Sequence, residues 1–348
     1  MRLPLKTIGE AELREAHLET AGSKLRRIVE PDSPGSSSPI GPVSRLPRVR
    51  AVVLNSFAGI EGLELSEVPE STPADGEQLV HVRAASLGPW DLAGADGAFA
   101  ATGGSGDFPQ VQGWDFAGET EDGHRVLGFV PQPWMGVGAF AELISVPSTI
   151  LAPMPDALGF PEASSLPVSA LAARLLVDGA SVGDGHLVLV TGAAGMVGGF
   201  ALQLASARGA RVIAAVRDSD AEEARRLEAE TVLDTGDELE VAVRGRWQDG
   251  VDACLDTVGL GAGALVCVRD GGRFVTSVPT AVPGAARGID PETVQVQPDA
   301  EAVAELADRA AAGELTVRIA DVLPLERFRE GYARLRRGGL HGKVVLTP

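Results

Sequence analysis

His186–Asp220, HLVLVTGAAGMVGGFALQLASARGARVIAAVRDSD, is the stretch whose reading decides the fold. It passes from an apolar strand through a glycine turn into an apolar-faced helix and a second strand, at the size of a dinucleotide-binding βαβ unit. Its glycines, Gly192, Gly195 and Gly198, stand in the spacing GxxGxxG. A tight turn directly after the strand calls for a residue without a Cβ at Gly192. Close approach of backbone N–H groups to a diphosphate calls for a second glycine near the helix start, and helix-on-strand packing for a third. In a chain with 43 glycines the spacing alone is generic. Its position between strand and helix makes it specific, against the alternative of a glycine-rich turn without a ligand.

The end of the second strand bears on which dinucleotide is bound, because an acid there meets the adenosine ribose and a cation accommodates a 2′-phosphate. RVIAAV closes on Val216 where the acid would stand, and Arg217 follows. That pattern favours NADPH over NADH. Asp218 comes next and leaves the competing reading open, in which Arg217 is a solvated surface charge.

Outward from this unit, residues 187–320 alternate strand-like runs (LVLVT, RVIAAV, TVLD, VDACLDT, GRFVTSV, TVQVQ) with helical stretches, the pattern of a doubly wound parallel sheet. Upstream, RVRAVVL, EQLVHVRAASL, HRVLGFV and AFAELISV are short β-type runs broken by Gly and Pro, as in a compact, mostly β domain. ADVLPLERFREGYARLRR reads as strand then helix, and GKVVLTP as a last strand. The fold class is therefore α/β, with a mostly β domain beside a parallel-sheet domain. Residues 1–48 read as an appended arm: 9–30 could form a charged helix, while 31–47 is too rich in Pro, Ser and Gly for a regular element.

The 348 residues allow about two domains. Hydrophobic content of 45% and mean hydropathy of +0.11 fit a folded chain. No run of 18 uncharged apolar residues is present, so no membrane span is expected, and the charged first residues do not resemble a secretory signal. The expected location is cytoplasmic. Net charge is −18, concentrated outside the arm, which holds eight Lys/Arg against six Asp/Glu; an acidic body repels phosphate backbones, so nucleic acid is not an expected partner. The three lysines, Lys6, Lys24 and Lys343, provide no phosphate loop ending in GKS or GKT and no interior Schiff-base lysine. Two cysteines, Cys254 and Cys267, are too few for a disulfide framework or a cysteine-built zinc site.

From residue 49 onward the chain resembles the medium-chain dehydrogenase/reductase superfamily, in its zinc-free quinone oxidoreductase and enoyl reductase branch. The resemblance rests on segments in family order: ASLGPWD (85–91), VQGWDFAGET (111–120), GAFAELISVP (138–147), SLPVSALAA (165–173), the βαβ unit, VDACLDTVG (251–259), GGRFVTSV (271–278), ADVLPLE (320–326) and HGKVVLTP (341–348). It implies a GroES-like catalytic domain over 49–163, completed by 313–348, and a Rossmann domain over 164–312, with NADPH in the cleft between them. By the same resemblance, Gly192, Ala193, Ala194, Gly195, Met196, Val197 and Gly198 cradle the diphosphate, and Arg217 meets the 2′-phosphate. Thr257, Val258, Ser277 and Val278 flank the nicotinamide, and Gln297 and Lys343 line the cleft; Lys343 has the equal alternative of fixing the last strand to the fold.

Zinc-dependent relatives hold their metal through a cysteine after an early strand and a His-Glu pair. The corresponding stretches here offer Trp90 near Asp91, and Gly113-Trp114-Asp115, so no metal is expected. The resemblance implies hydride transfer to a quinone or α,β-unsaturated carbonyl, with water or a cofactor ribose hydroxyl as the source of a proton. Gly88 and Ala172 stand where the family commonly has asparagine and threonine, so two polar contacts are missing. Trp90 and Trp134 offer flat apolar walls suited to an aromatic or polyketide-like acceptor, or else they pack between domains. Asp91 is a candidate acid or polar anchor. AFAATGGSGDFP (98–109) reads as a lid or as a plain insertion. A second reading is a redox-silent NADPH-binding protein of the same fold. A homodimer is expected from the resemblance alone.

Overall fold

The computed structural model describes residues 47–348 apart from 103, 105, 106, 236 and 237. The arm read over 1–48 lies outside the described residues up to residue 46, as do three residues of the 98–109 segment. Arg48 belongs to the first strand, Arg48–Leu54.

Six strands form the parallel sheet: β1 (Leu187–Thr191), β2 (Arg211–Val216), β3 (Thr231–Asp234), β4 (Val251–Asp256), β5 (Val268–Thr276) and β6 (Glu292–Thr293). Their order is β3-β2-β1-β4-β5-β6, with every pair parallel. The chain winds outward from β1 in both directions, so the crevice between β1 and β4 is the topological switch point. Register aligns the carboxyl ends there, with Thr191 beside Asp256 and Asp256 beside Thr276.

Every residue of β1 is buried, as a central strand covered on both faces requires. Val188 and Val190 pack with the helices Pro167–Gly179 and Met196–Ala207 through Leu171, Leu176, Phe200 and Leu204. Leu187 and Leu189 face the other layer with Val243 and Leu265. TVQVQ is shorter as a strand than the sequence suggests. Only Glu292–Thr293 pairs, because the neighbouring strand β5 ends at Thr276, opposite Thr293.

A seven-stranded sheet takes strands from two distant stretches. Lys343–Thr347 runs parallel to Ile319–Pro324 and antiparallel to Glu77–Ser86, which also pairs with Asp115–Thr120 and Leu143–Pro147. A three-stranded sheet, Leu63–Pro69, Arg48–Leu54 and Gln110–Val111, closes over its core. Leu63–Pro69 and Asp115–Thr120 are strands that the sequence patterning did not single out. The helix Pro167–Gly179 joins the two sheets: its side chains share one core cluster with Trp114, Leu127 and Phe129, and Val168 N–H donates to Asp115 Oδ1 at 2.8 Å.

Candidate active site

The helix Met196–Ala207 begins at the switch point with Gly195 as its cap, no side-chain cap and no acidic residue in its first turn. The first N–H groups of a helix have no intrahelical partner, and the dipole places partial positive charge beside them. An anion supplies what this helix end lacks. Gly192 has φ of +60°, the left-handed region, with Thr257 Oγ1 and the Val258 side chain directly above. Gly198 sits so close to the Gly192 carbonyl that a Cβ would overlap it. Ala193 and Ala194 are buried beneath the turn; Gly195 is exposed and Met196 and Val197 half-exposed. The residues thus fit the diphosphate of a dinucleotide.

Asp256, at the end of β4, organises the neighbouring loop, a role that sequence reading did not assign. Fully buried, it accepts hydrogen bonds from Thr191 Oγ1 (2.6 Å) and from the N–H groups of Gly259 (3.0 Å), Leu260 (3.1 Å) and Gly261 (2.9 Å). Thr257 Oγ1 donates to the Thr191 carbonyl at 2.6 Å, and Thr257 N–H to Thr191 Oγ1 at 2.9 Å. The network holds Thr257 and Val258 over the glycine turn with Val258 54% exposed. Thr276 Oγ1 donates to the Asp256 carbonyl and accepts from Val278 N–H, placing Ser277 and Val278 on the same rim. The signal in the sequence was an acid ending the run ACLD, directly before TVG.

At the tip of β2, Arg217 is 62% exposed and its Nε donates to Asp220 Oδ2 at 2.7 Å. His341, from the loop before the last strand, meets Asp220 Oδ1 at 2.9 Å. Burial pushes the Asp220 carboxyl up, but the His341 and Arg217 contacts outweigh it and hold the group below its ordinary value. Asp220 is therefore committed to protein partners, while the Arg217 side chain stays largely exposed.

The sheet domain carries an aromatic cluster. Trp90 and Trp114 lie 6.2 Å apart between ring centroids, Phe99 and Trp134 5.3 Å, and Trp114 and Trp134 6.0 Å. The Trp90 ring lies so close to Gly88 that a Cβ there would overlap it, which gives the missing asparagine a physical cause. Lys343 is 4% exposed, with Nζ 3.3 Å from Asp115 Oδ2 and 4.4 Å from the Trp90 ring centroid. Among the roles read for it, the structure places it where it ties the last strand to Asp115–Thr120. Asp91 caps its helix by accepting from Gly88 N–H at 2.7 Å, and its Oδ1 has no hydrogen-bond partner among the described residues. Burial pushes Asp91 up to about 8 and raises Asp115 as well. At neutral pH Asp91 thus carries a proton. Tyr332, fully buried against Phe140, is a packing residue.

Gln297 is exposed and opens into a cavity of about 490 Å³ lined also by Thr149, Leu171, Leu175, Gln295 and Glu301. The residues lining that cavity do not include those of the glycine turn. Among the described residues, no group of three or more His, Cys, Asp or Glu side chains is placed to hold a metal ion, and no helix is long and apolar enough to cross a membrane.

A glycine turn at the switch point of a parallel sheet, facing a second sheet domain, defines a two-domain dinucleotide-binding protein. The sequence pattern of the zinc-binding dehydrogenase family matches residues 227–346. The zinc-type alcohol dehydrogenase-like protein C337.11 of Schizosaccharomyces pombe is 32% identical over 227 residues, covering 62% of this chain and 66% of that protein. The 2-methylene-furan-3-one reductase of Solanum lycopersicum is 27% identical over 320 residues, covering 86% and 79%. The structure of the quinone oxidoreductase from Coxiella burnetii superposes with a TM-score of 0.79 at 25% identity, covering 87% of this chain and all of that one. The chain belongs to the medium-chain dehydrogenase/reductase superfamily.

Proposed function

We propose that the protein is an NADPH-dependent, zinc-independent oxidoreductase that reduces a quinone or an α,β-unsaturated carbonyl compound with a flat aromatic or polyketide-like body. The observation that carries this reading is the uncapped helix end at the β1/β4 switch point with exposed Arg217 at the tip of β2. Gly192–Gly198 hold the diphosphate, Arg217 pairs with the 2′-phosphate, and Thr257, Val258, Ser277 and Val278 confine the nicotinamide. When bound, the reduced dinucleotide supplies a hydride; a proton completes the two-electron reduction of the acceptor. Trp90 and Trp134 stack the acceptor. Protonated Asp91, behind Trp90, is the polar anchor of that wall. Zinc independence is supported by Trp90 near Asp91 and by Gly113-Trp114-Asp115, which put no thiolate or imidazole where the zinc-dependent relatives have them. The division into a catalytic part, 49–163 with 313–348, and a cofactor part, 164–312, follows the two sheets. A homodimer is part of the same proposal.

The test is the loss of reduced-nicotinamide absorbance with NADPH and NADH against quinones, enones and aromatic acceptors, alongside metal analysis of the purified protein. Turnover with NADPH preferred and no stoichiometric zinc is expected. The Trp90 ring over Gly88 favours one second reading, a redox-silent NADPH-binding protein, because an amide contact is replaced by an indole. Tight NADPH binding without oxidation across the panel would favour it.

A further inference from the structure

Arg318, which precedes the strand Ile319–Pro324, reaches back into the parallel-sheet domain. Its side chain is 9% exposed, Nη1 donates to the Ala194 carbonyl at 2.7 Å, and Nη2 donates to the Gly195 carbonyl at 2.6 Å. Nη1 also lies 3.1 Å from Glu223 Oε1, itself 9% exposed. Gly199, the glycine outside the GxxGxxG spacing, has its explanation here: a Cβ would overlap Arg318 Nη2.

A cation beside a helix N-terminus is opposed by the dipole, so this one needs a reason. Glu223 offsets its charge, which leaves geometry. In a trans peptide the carbonyl and the following N–H point in opposite directions. Holding the Gly195 carbonyl toward Arg318 therefore directs the Met196 N–H to the other side, where the turn is exposed. Gly195 N–H is itself fixed to the Gly192 carbonyl at 2.9 Å. The planar fork holds two successive carbonyls, which the single point charge of a lysine does not reproduce.

The geometry points to Arg318 as a positioning residue for cofactor binding, one that presets the Ala194–Met196 peptides for the diphosphate without touching the cofactor. The inference rests on the cofactor reading above. Because it acts on the part common to both dinucleotides, its loss weakens NADPH and NADH alike, unlike loss of Arg217.

Dissociation constants for both dinucleotides, measured by fluorescence on the full chain, test this with Arg318→Lys and Gly199→Ala. Gly199→Ala displaces the guanidinium while inserting a better helix former, which offsets part of the lost contacts, and a thermal melt establishes that the variant is folded at the temperature of the binding measurement. The expected result is about tenfold or greater weakening of both dinucleotides in both variants, on the scale of one charge-assisted hydrogen bond. Wild-type affinity in folded Gly199→Ala overturns the inference even where Arg318→Lys fails to fold, and so does a loss confined to NADPH. A wild-type chain that binds neither dinucleotide overturns the cofactor reading itself, a separate failure.

Discussion

At the carboxyl ends of β1, β4 and β5, Thr191, Asp256, Thr257 and Thr276 answer one another's hydrogen bonds in a network that contains no cation. The aromatic wall is built differently: Lys343 and Asp115 form a buried ion pair, Asp91 lies beside them, and Trp90 Nε1, Asp91 Oδ1 and Tyr332 Oη are buried without hydrogen-bond partners among the described residues. The four side chains of the first region are satisfied before any ligand arrives, while the helix end beside them keeps uncapped N–H groups for an anion and is braced by the buried Arg318–Glu223 pair. The second retains unmet polar groups and buried charge, the usual mark of a site where stability has been traded for chemistry or specificity.

The largest effect that could break this contrast lies in the second region. Lys343→Met leaves Asp115 buried without its cation, and a loss of about 3–5 kcal/mol in denaturant unfolding is expected. A loss below about 1 kcal/mol would show that the pair does not hold the wall.

The next effect is read as a pH slope. Asp91 keeps its proton to about pH 8 in the folded chain and releases it near pH 4 when unfolded. Between these values the folded state holds the extra proton, so stability falls as pH rises through that window and levels off above it. Asp115, also raised, adds in the same direction. Asp91→Asn keeps an acceptor for Gly88 N–H and should flatten the slope between pH 5 and pH 8 in pH-resolved thermal melts. An unchanged slope would remove Asp91 from the account.

The smallest effect sharpens the wall itself. Gly88→Asn alone should destabilise the chain by about 1–3 kcal/mol through overlap with Trp90. Combined with Trp90→Val it should cost less than the sum of the two single changes, with a coupling of about 1 kcal/mol. Additive losses would mean that Trp90 does not dictate Gly88.

The same contrast explains what was legible in the sequence. The parallel sheet follows from patterning, because its central strands β1, β2 and β4 are mostly apolar runs set off by turns, and the glycine spacing locates the helix end that faces a ligand. Asp256 was harder to read, since a strand-terminal acid acquires its role only when β1 and β5 align beside β4. Lys343, Asp115 and Trp90 come from three distant segments, and no local period announces that they meet. Arg318 reads as an ordinary charge in TVRIAD until the returning chain carries it to the glycine turn. The edge run TVQVQ misled by its alternation, because pairing also requires a neighbour.

The central claim, a cofactor site tuned to the 2′-phosphate, is tested most directly by the dissociation constants of NADPH and NADH for the wild-type chain and for Arg217→Ala. The account predicts tighter NADPH binding in the wild type and a loss for NADPH of about 10–100-fold in the variant, the scale of a charge-assisted contact, with NADH changed by less than about threefold. Equal losses for the two dinucleotides, or a wild type that prefers NADH, would contradict it.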